Sequence, residues 1–482
     1  MAFRYYIFFC LFLIFSDIYS QNLNELSLFD LIDYAKSKSI PTYQAKNKKQ
    51  TKYWEYKNYL ANYKPQLILE GVLPSYTKSF KEVTQPDGNL SFESVYYNSS
   101  SIQLNLKQNI AATGGTLFLN SELQRFDNFS NNSKQYNGKL ISIGFDQPLF
   151  QYNILKWDNL IEPLKYEESK KEYIEEVENI SYVISTLYFD VLLNQESLKI
   201  TKTNLTNTQE IFNIAKTKLK LGEISKNEIL KLKLELLKSK NLLMKIKRDL
   251  EISKLSLKSY VDIDDDNTFG IPFPKYLKEL PKDLLLKQAA FNRSKMVTFK
   301  RMLLEGKRDI AKARSDNGLR VELKANLGFS NTATSFNNLY SNSQQNQSLQ
   351  LSFYLPILDW GRSKSKVKAA IANEAIIKRT VEQEEQSFKR EVYTEITLFN
   401  LIVTQIDNII KADKIAEEKY EIAKNTYKLG NISVTELSIA FSERFQAKKD
   451  FIETIGNYWK SYYLIRMLTL YDFENNLKIS NN

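Results

Sequence analysis

Histidine is absent from this sequence of 482 residues, and cysteine occurs once. Without histidine the chain cannot build a Ser–His or Cys–His catalytic pair, or a zinc site that needs imidazole. Glycine and proline are also scarce, at 14 and 10 residues, which leaves room for very long helices. A phosphate-binding loop is missing, because Gly114-Gly115 is not followed by the rest of that motif. We therefore expect a chain that is not an enzyme and that carries no cofactor.

Metal-binding motifs are missing too. Asp262, Asp264 and Asp266 have the spacing of the first ligands of a calcium-binding loop. The sixth position of that loop is Asn267 instead of glycine, and the twelfth is Phe273 instead of glutamate. We interpret the aspartates as part of a solvated linker and predict no metal site.

Long apolar runs are absent except near the N-terminus, at Ile7 to Phe15. This run of about nine residues is too short to span a bilayer. With Arg4 before it, and with Ile18 and Ser20 in the two positions that signal peptidase reads, it predicts a secretory signal peptide over residues 1–20. A buried strand or helix is the alternative. The only cysteine would leave with this signal, and a cysteine-free mature chain fits an oxidising compartment.

After residue 20 no run of about eighteen apolar residues occurs, so the sequence predicts no transmembrane helix. Such a chain can cross a bilayer only as a closed β-barrel. The net charge of +11 raises the alternative of a nucleic-acid-binding protein. Lysines and glutamates are interleaved along predicted helices, however, as between Lys165 and Glu178, and this pattern is typical of a solvated helix face. We predict no nucleic-acid partner.

The sequence contains one long internal repeat. Two motifs occur twice, namely Leu221-Gly222-Glu223-Ile224-Ser225 as Leu429-Gly430-Asn431-Ile432-Ser433, and Gln147-Pro148-Leu149-Phe150 as Leu355-Pro356-Ile357-Leu358. Both pairs are separated by about 208 positions. Because two landmarks agree on one offset, much longer than the period of a solenoid, they predict two internal structural repeats.

Each repeat is predicted to contain, in this order, a helix, a group of strands, a long helix, a turn and a return helix. The first is residues 21–260, with a helix at 28–64, strands at 66–146, a long helix at 154–221 and a return helix at 227–260. An equatorial linker at 261–282 leads to the second, residues 283–470, with a helix at 283–316, strands at 319–355, a long helix at 362–429 and a return helix at 435–470. A polar tail, 471–482, closes the chain. Pro65 ends the first helix, and Pro163 predicts a kink near the start of the first long helix.

The length of the two long helices indicates the architecture. At 1.5 Å per residue each would extend about 100 Å, more than a compact globule needs. A return helix and an opening helix, stacked end to end, have about the same total length as one long helix. We therefore predict a mainly α fold, a barrel of long antiparallel coiled-coil helices with the linker as a belt at mid-height. A fibrous coiled coil is the alternative, but it leaves the strands unexplained.

The strands alternate apolar and polar residues, as in Val321 to Phe329, Ile102 to Leu106 and Leu349 to Leu355. Alternation suits a wall between lipid and water, or an ordinary half-buried sheet. Together with the long helices and the export signal, it favours a transmembrane β-barrel. One chain offers fewer than the roughly eight strands that a membrane barrel needs, so we expect an oligomeric barrel. The aromatic residues predicted for an interfacial girdle are Tyr96, Tyr97, Phe126, Phe129, Phe336 and Tyr340.

In these features the chain resembles the TolC-type outer-membrane efflux protein family. The resemblance runs from Leu28 to about Leu470 and rests on Gln147 to Phe150, on Leu355 to Arg362 and on the paired turns. It implies a homotrimer in the outer membrane, with a twelve-stranded barrel, four strands per protomer, above a helical tunnel in the periplasm. It also implies a periplasmic adaptor and an inner-membrane transporter as partners, with passive export of small molecules or proteins. The predicted barrel-to-helix junctions contain Pro148, Pro356 and Gly361.

The family meets its adaptor at the tips formed by the two turns. In this chain the tip residues are Gly222, Glu223, Ile224, Ser225, Gly430, Asn431, Ile432 and Ser433. Helix capping by glycine and serine explains the same residues, and the two roles are compatible.

Acidic residues six and nine positions after the second turn glycine ring the aperture in the family. Here the sixth is Glu436 and the ninth is Ile439, while the sixth in the first repeat is Glu228. Three copies of Glu436 around a threefold axis would concentrate cations. The alternative is that both glutamates only favour a helix N-terminus.

The first repeat has about 46 more residues than the second in its strand region. They include an alternating pair, Ile102 to Leu106 and Leu117 to Leu123, joined by Thr113-Gly114-Gly115 as in a hairpin. Either the barrel gains strands or this hairpin lies outside it. The alternative to an export channel is a periplasmic adaptor or coiled-coil scaffold without a barrel, although adaptors typically carry one helical hairpin and no duplicated unit.

Overall fold

The computed structural model describes residues 25–261, 268–275 and 278–480. The α-helices are α1 (Leu28–Lys38), α2 (Ile40–Ala61), α3 (Ile154–Lys220), α4 (Lys226–Tyr260), α5 (Lys282–Asn292), α6 (Ser294–Asp316), α7 (Arg362–Lys428) and α8 (Val434–Thr469). The strands are β1 (Glu25–Leu26), β2 (Gln66–Thr84), β3 (Leu90–Ile110), β4 (Gly115–Asn128), β5 (Ser133–Leu149), β6 (Thr268–Phe269), β7 (Arg320–Ala333), β8 (Gln344–Tyr354), β9 (Tyr471–Asp472) and β10 (Leu477–Lys478). The predicted signal peptide and the aspartates at 262, 264 and 266 lie outside the described residues.

Two helices are far longer than the rest. Helices α3 and α7 each contain 67 residues, about 100 Å at the usual rise. Neither contains glycine, and α3 continues through its one proline, Pro163. The prediction of a mainly helical fold with an antiparallel sheet is confirmed. No helix among the described residues combines the length and apolar character required to cross a bilayer.

The chain divides into two compact units. The first contains the described residues up to Lys49, those of Lys171–Arg293 and those from Gln386 onward; the second contains Gln50–Lys170 and Ser294–Glu385. The first unit is helical, with β1 pairing in parallel with β6 and with β9 and β10 forming a short hairpin. The second unit contains the large sheet, and both candidate sites described below lie within one unit each.

The sheet of the second unit has six strands in the order β2-β3-β4-β5-β7-β8, and every neighbouring pair is antiparallel. The hairpin that the sequence predicted around Gly114 joins β3 to β4, and Gly114 has the left-handed φ of +78° that this turn requires. The extra residues of the first repeat therefore add strands to the sheet. The sheet has two strands more than the four per protomer that the resemblance implies for the barrel, because β2 and β3 pair continuously with the remaining four.

Two predicted helices are interrupted. The helix predicted at 28–64 breaks at Ser39, and the helix predicted at 283–316 breaks at Arg293; both residues have extended backbones. The segment described as a polar tail contains the β9–β10 hairpin, in which Tyr471 and Phe473 are buried.

Candidate functional site: the paired turns and the six-stranded sheet

The two repeated turns have the same backbone structure. Gly222 and Gly430 have φ of +76° and +85°, the left-handed conformation that glycine adopts without a steric penalty. After α3, the N–H of Glu223 donates to the carbonyl of Lys218 at 3.0 Å; after α7, the N–H of Asn431 donates to Thr426 at 3.1 Å. These bonds end each helix with a Schellman motif, so the glycine in each repeat has a local structural role.

A serine starts the helix that follows each turn. The hydroxyl of Ser225 accepts the N–H of Glu228 at 3.2 Å, and that of Ser433 accepts the N–H of Glu436 at 3.2 Å. In the second turn the Glu436 carboxylate also accepts the N–H of Ser433 at 2.7 Å, which completes a capping box. The capping role of Glu436 is therefore visible in the structure, while the aperture role stays a prediction.

A shared apolar cluster lies beneath the two turns. Its buried members are Ile211, Phe212 and Ala215 of α3, Leu232 and Leu236 of α4, and Val434 of α8. Ile224 of the first turn packs against this cluster and is half-buried, and Ile432 of the second turn is half-buried as well. Ile224 thus holds the first turn onto the helices.

Charged residues line the cavity between the turns. This cavity, of about 240 Å³, is bordered by Lys218, Glu223, Glu228 and Tyr427. Burial and the nearby Glu228 raise the pKa of the Tyr427 hydroxyl, so it remains protonated and able to donate a hydrogen bond. Lys428 also borders the cavity, and it pairs with Glu210 at 3.1 Å, which links α7 to α3.

The outermost residues of the turns are apolar. Leu221 is 68% exposed and Leu429 is 77% exposed, at equivalent positions of the two repeats. Sequence analysis assigned the docking role to the residues from glycine to serine and omitted these leucines. Their signal was in the repeat itself, since leucine precedes glycine in both copies. Each of the two turns therefore presents one exposed leucine at the equivalent position.

One face of the large sheet is apolar across all six strands. Directly opposed residues form a row across the first five strands, namely Leu67, Leu106, Leu119, Ile143 and Leu327. The same face of β8 carries Leu349, Leu351 and Phe353, which are 63–78% exposed. Because the register aligns these side chains on one side of the sheet, the sequence alternation becomes a continuous apolar surface.

The opposite face is largely polar. Lys324 lies 3.3 Å from Glu322 and 3.9 Å from Asp146, and Lys139 pairs with Glu122 at 2.8 Å. The ring of Phe118 occupies the space over its cross-strand partner Gly144, where a Cβ would lie 2.1 Å from the ring. This glycine is required for packing rather than for its backbone conformation.

The aromatic residues predicted for one girdle divide between the two faces. Tyr96 lies 4.7 Å from Phe129, ring centre to ring centre, on the apolar side of the sheet. Tyr97 lies 5.0 Å from Phe126 on the polar side, because adjacent residues of a strand point to opposite faces. The girdle prediction is wrong for Tyr97 and Phe126. Phe336 and Tyr340 are in contact at the 3-10 helix Asn337–Tyr340, between β7 and β8.

The two strand-to-helix junctions have different local structures. Pro148 lies in β5 past the last β4–β5 pair, so its missing N–H breaks no bond between these strands. Pro356 follows directly after β8, and Gly361 has a left-handed φ of +83°. The Asp359 carboxylate accepts the N–H groups of Gly361 and Ser363 at 3.0 and 2.8 Å, which caps α7.

Comparison with known proteins gives a family match and several similar structures. Residues 285–463 match the model of the family described as outer membrane efflux protein. The CmeC outer membrane channel of Campylobacter jejuni has 15% sequence identity and a TM-score of 0.67, with 94% of this chain and 87% of that chain covered. The open state of the MtrE outer membrane channel of Neisseria gonorrhoeae has 14% identity and a TM-score of 0.63, with 94% and 90% covered.

The outer membrane protein VceC of Vibrio cholerae has 13% identity and a TM-score of 0.63, with 92% of this chain and 95% of that chain covered. No curated protein matches the chain. At these identities the structural similarity establishes the fold, over nearly the full length of each protein.

Proposed function

We propose, from the match of residues 285–463 to the model of the outer membrane efflux protein family, that this chain is the outer-membrane channel of a tripartite efflux or type I secretion system. It would be a passive duct through which small molecules or proteins leave the cell. The observation that carries the proposal is the apolar face that runs across all six strands of a sheet joined to 67-residue helices. A periplasmic adaptor or scaffold has no need of such a face.

The sheet would form part of a membrane barrel. Its apolar face would contact lipid, and the face with Lys324, Glu322 and Asp146 would line a water-filled lumen. Six strands are fewer than the roughly eight that the smallest membrane barrels use, so further copies must supply the rest. The homotrimer implied by the family resemblance would satisfy this requirement.

The helices would form the periplasmic tunnel. On α4, Leu230, Leu234 and Leu237 are 51–55% exposed, with the spacing of one helix face. An apolar stripe of this kind requires a partner surface, and a neighbouring copy would cover it in a trimer. At about 100 Å, α3 and α7 are long enough for a tunnel that extends well beyond the membrane.

The paired turns would contact a periplasmic adaptor, which in turn meets an inner-membrane transporter. The contact would combine the exposed Leu221 and Leu429 with Gly222, Glu223, Gly430 and Asn431, while the capped helices hold both turns in place. A cysteine at position 221 or 429 is expected to cross-link to the adaptor in cells with an assembled pump. Cysteines at the half-buried positions 224 and 432 are matched controls that should react less. Absence of an adaptor adduct from all four positions would refute this docking site.

Glu436 and Glu228 would supply negative charge at the periplasmic aperture. Both follow a turn by six positions, and the pKa of the Glu436 carboxyl is held below its ordinary range by its hydrogen bonds to Ser433. A ring of three such carboxylates would raise the local cation concentration.

The experiment that tests the proposed function is membrane fractionation combined with gel mobility. The chain is expected in the outer-membrane fraction, and unheated samples should migrate as a trimer that heating converts to the monomer. Recovery of a soluble periplasmic monomer would contradict the channel and favour the scaffold alternative.

A further inference from the structure

The large sheet has two free edges, β2 and β8. Its six strands alternate in direction, so β2 and β8 run in opposite directions. If a second copy places its β2 beside β8, the two strands are antiparallel, as in the rest of the sheet. An even number of strands per copy therefore allows an entirely antiparallel barrel built from identical subunits.

We propose that β8 of each copy pairs with β2 of the next, and that three copies close an eighteen-stranded barrel. This inference rests on the proposed function and changes the strand number that the family resemblance implies. It places β2 at the seam between subunits, which makes the β2–β3 pair part of the barrel wall.

Aligning the ends of the two edge strands gives a register for this seam, and the stagger within one copy shows how large a shift that register adds. One row of paired residues runs from Gln66 on β2 through Lys107, Phe118, Gly144 and Asn326 to Ser348 on β8. The end of β8, Tyr354, lies six residues beyond Ser348 along the strand. Aligning the start of the neighbouring β2 with this end pairs Gln66 of that copy with Tyr354.

This register also makes the apolar face continuous from one copy to the next. It opposes Leu67 to Phe353 and Leu69 to Leu351, all of which lie on the apolar face of their own sheet. A register that differed by one residue would place the leucines of β2 beside polar residues of β8, because strand side chains alternate between faces.

The same register gives an ordinary barrel geometry. A stagger of six residues per copy adds to about eighteen residues around eighteen strands. Equal stagger and strand number correspond to a strand tilt of about 36°, the value of an eight-stranded barrel with a shear of eight. Membrane barrels have tilts of about 35–45°, and barrels of 16 to 18 strands enclose an aqueous channel.

The loop after β8 supplies a further reason for a neighbour at this edge. Ile357 and Trp360 are 93% and 92% exposed, and Leu358 is 73% exposed. These side chains lie just past Tyr354, where the proposed register brings the start of the neighbouring β2. A second copy would shield part of this apolar loop from water.

Disulfide cross-linking tests the seam. In a Cys10→Ser background, the double variant Leu67→Cys with Phe353→Cys should form an intermolecular disulfide under mild oxidation. Opposed antiparallel residues have Cα atoms about 4.5–5.5 Å apart, within the range that a disulfide spans. Non-reducing gels should then show covalent dimers and trimers. The matched control Leu69→Cys with Phe353→Cys shifts the pair by two residues, beyond about 7 Å, and should form at least tenfold less.

A third variant identifies the competing arrangement. If β4 were the seam and the β2–β3 hairpin lay outside the wall, Leu117→Cys with Phe353→Cys would cross-link between copies, and Leu67→Cys with Phe353→Cys would not. That result would overturn the eighteen-stranded barrel and leave an outer-membrane trimer intact. Failure of every variant, and of the parent chain, to form an outer-membrane trimer would refute the proposed function as well.

Discussion

Glu436 can cap a helix and still present negative charge to solvent. Its carboxylate accepts the N–H of Ser433 at 2.7 Å, and its own N–H donates to the Ser433 hydroxyl at 3.2 Å. Because hydrogen bonds from Ser433 stabilise the ionised form, the pKa of Glu436 lies below its ordinary range. The carboxylate therefore stays charged to a lower pH than an unbonded glutamate would.

The Glu436→Gln variant separates these two roles. Glutamine also serves at this position of a capping box, so we expect the melting temperature of Glu436→Gln to stay close to that of the parent. Loss of three carboxylates at the aperture should reduce cation selectivity, measured as the reversal potential of single channels in a salt gradient. Glu382→Gln, an exposed glutamate of α7 in the other unit, is the matched control. Equal reversal potentials for Glu436→Gln and the parent would remove Glu436 from the aperture.

Residue identities predicted the turns well, because glycine and serine act locally there. They predicted less at positions where the role of a residue depends on a contact with a residue far away in the sequence. Gly144 is required by the ring of Phe118 on the neighbouring strand, and the sequence gives no indication of that pairing. The assignment of Tyr97 and Phe126 to the girdle failed for a related reason, since it ignored which face each residue occupies in the register.

At the scale of secondary-structure elements, a buried ion cluster ties together four parts of the helical unit. The Glu178 side chain of α3 is 4% exposed and contacts Lys36 of α1 at 2.8 Å and Arg466 of α8 at 3.1 Å. Arg466 also contacts Asp472 of β9 at 2.7 Å. Burial by itself would raise the pKa of Glu178, but the two cations outweigh it and hold this pKa below the ordinary value.

Replacement of Glu178 by alanine would leave two partly buried cations without their shared partner. We expect Glu178→Ala to lower the free energy of unfolding by about 3–5 kcal/mol near pH 7, measured by thermal or denaturant unfolding. Glu176→Ala, an exposed neighbour on the same helix, should cost less than about 1 kcal/mol and is the matched control.

The pH dependence of this difference follows from the direction of the pKa shift. A carboxyl whose pKa is lowered by folding stabilises the native state above its unfolded pKa, and this stabilisation is lost as the pH falls through the lower native value. The difference in the free energy of unfolding between Glu178→Ala and the parent should therefore become smaller at acidic pH. A gap that is independent of pH, or a cost no larger than that of Glu176→Ala, would contradict the role of the cluster.

Of the breaks in the two opening helices, one could be predicted from the sequence and the other could not. The break at Ser39 had a local signal, since Pro41 lacks an N–H and is tolerated in the first turn of a helix but not in its interior. The break at Arg293 had none. There the guanidinium donates to the carbonyl of Met467 at 2.9 Å and lies 3.4 Å from Glu175, so the conformation depends on packing against α8 and α3. Only the assembled unit reveals such contacts.

At the scale of the whole molecule, helix lengths and strand alternation predicted a mainly helical chain with an antiparallel sheet. The number of strands depended on pairing, which alternation alone does not specify. The sequence left the position of the additional strands open, and the continuous register from β2 to β8 places them in the same sheet as the other four. The two internal repeats remain a prediction, although both long helices have the same length and both end in the same type of turn.

The central claim is that copies of this chain enclose a water-filled passage through a membrane. Insertion of the purified trimer into planar lipid bilayers tests it most directly. We expect discrete steps of ion conductance that the protein alone produces, without a nucleotide or another energy source. Preparations that contain intact trimers but never raise the conductance of the bilayer, under any applied voltage or salt concentration, would contradict it.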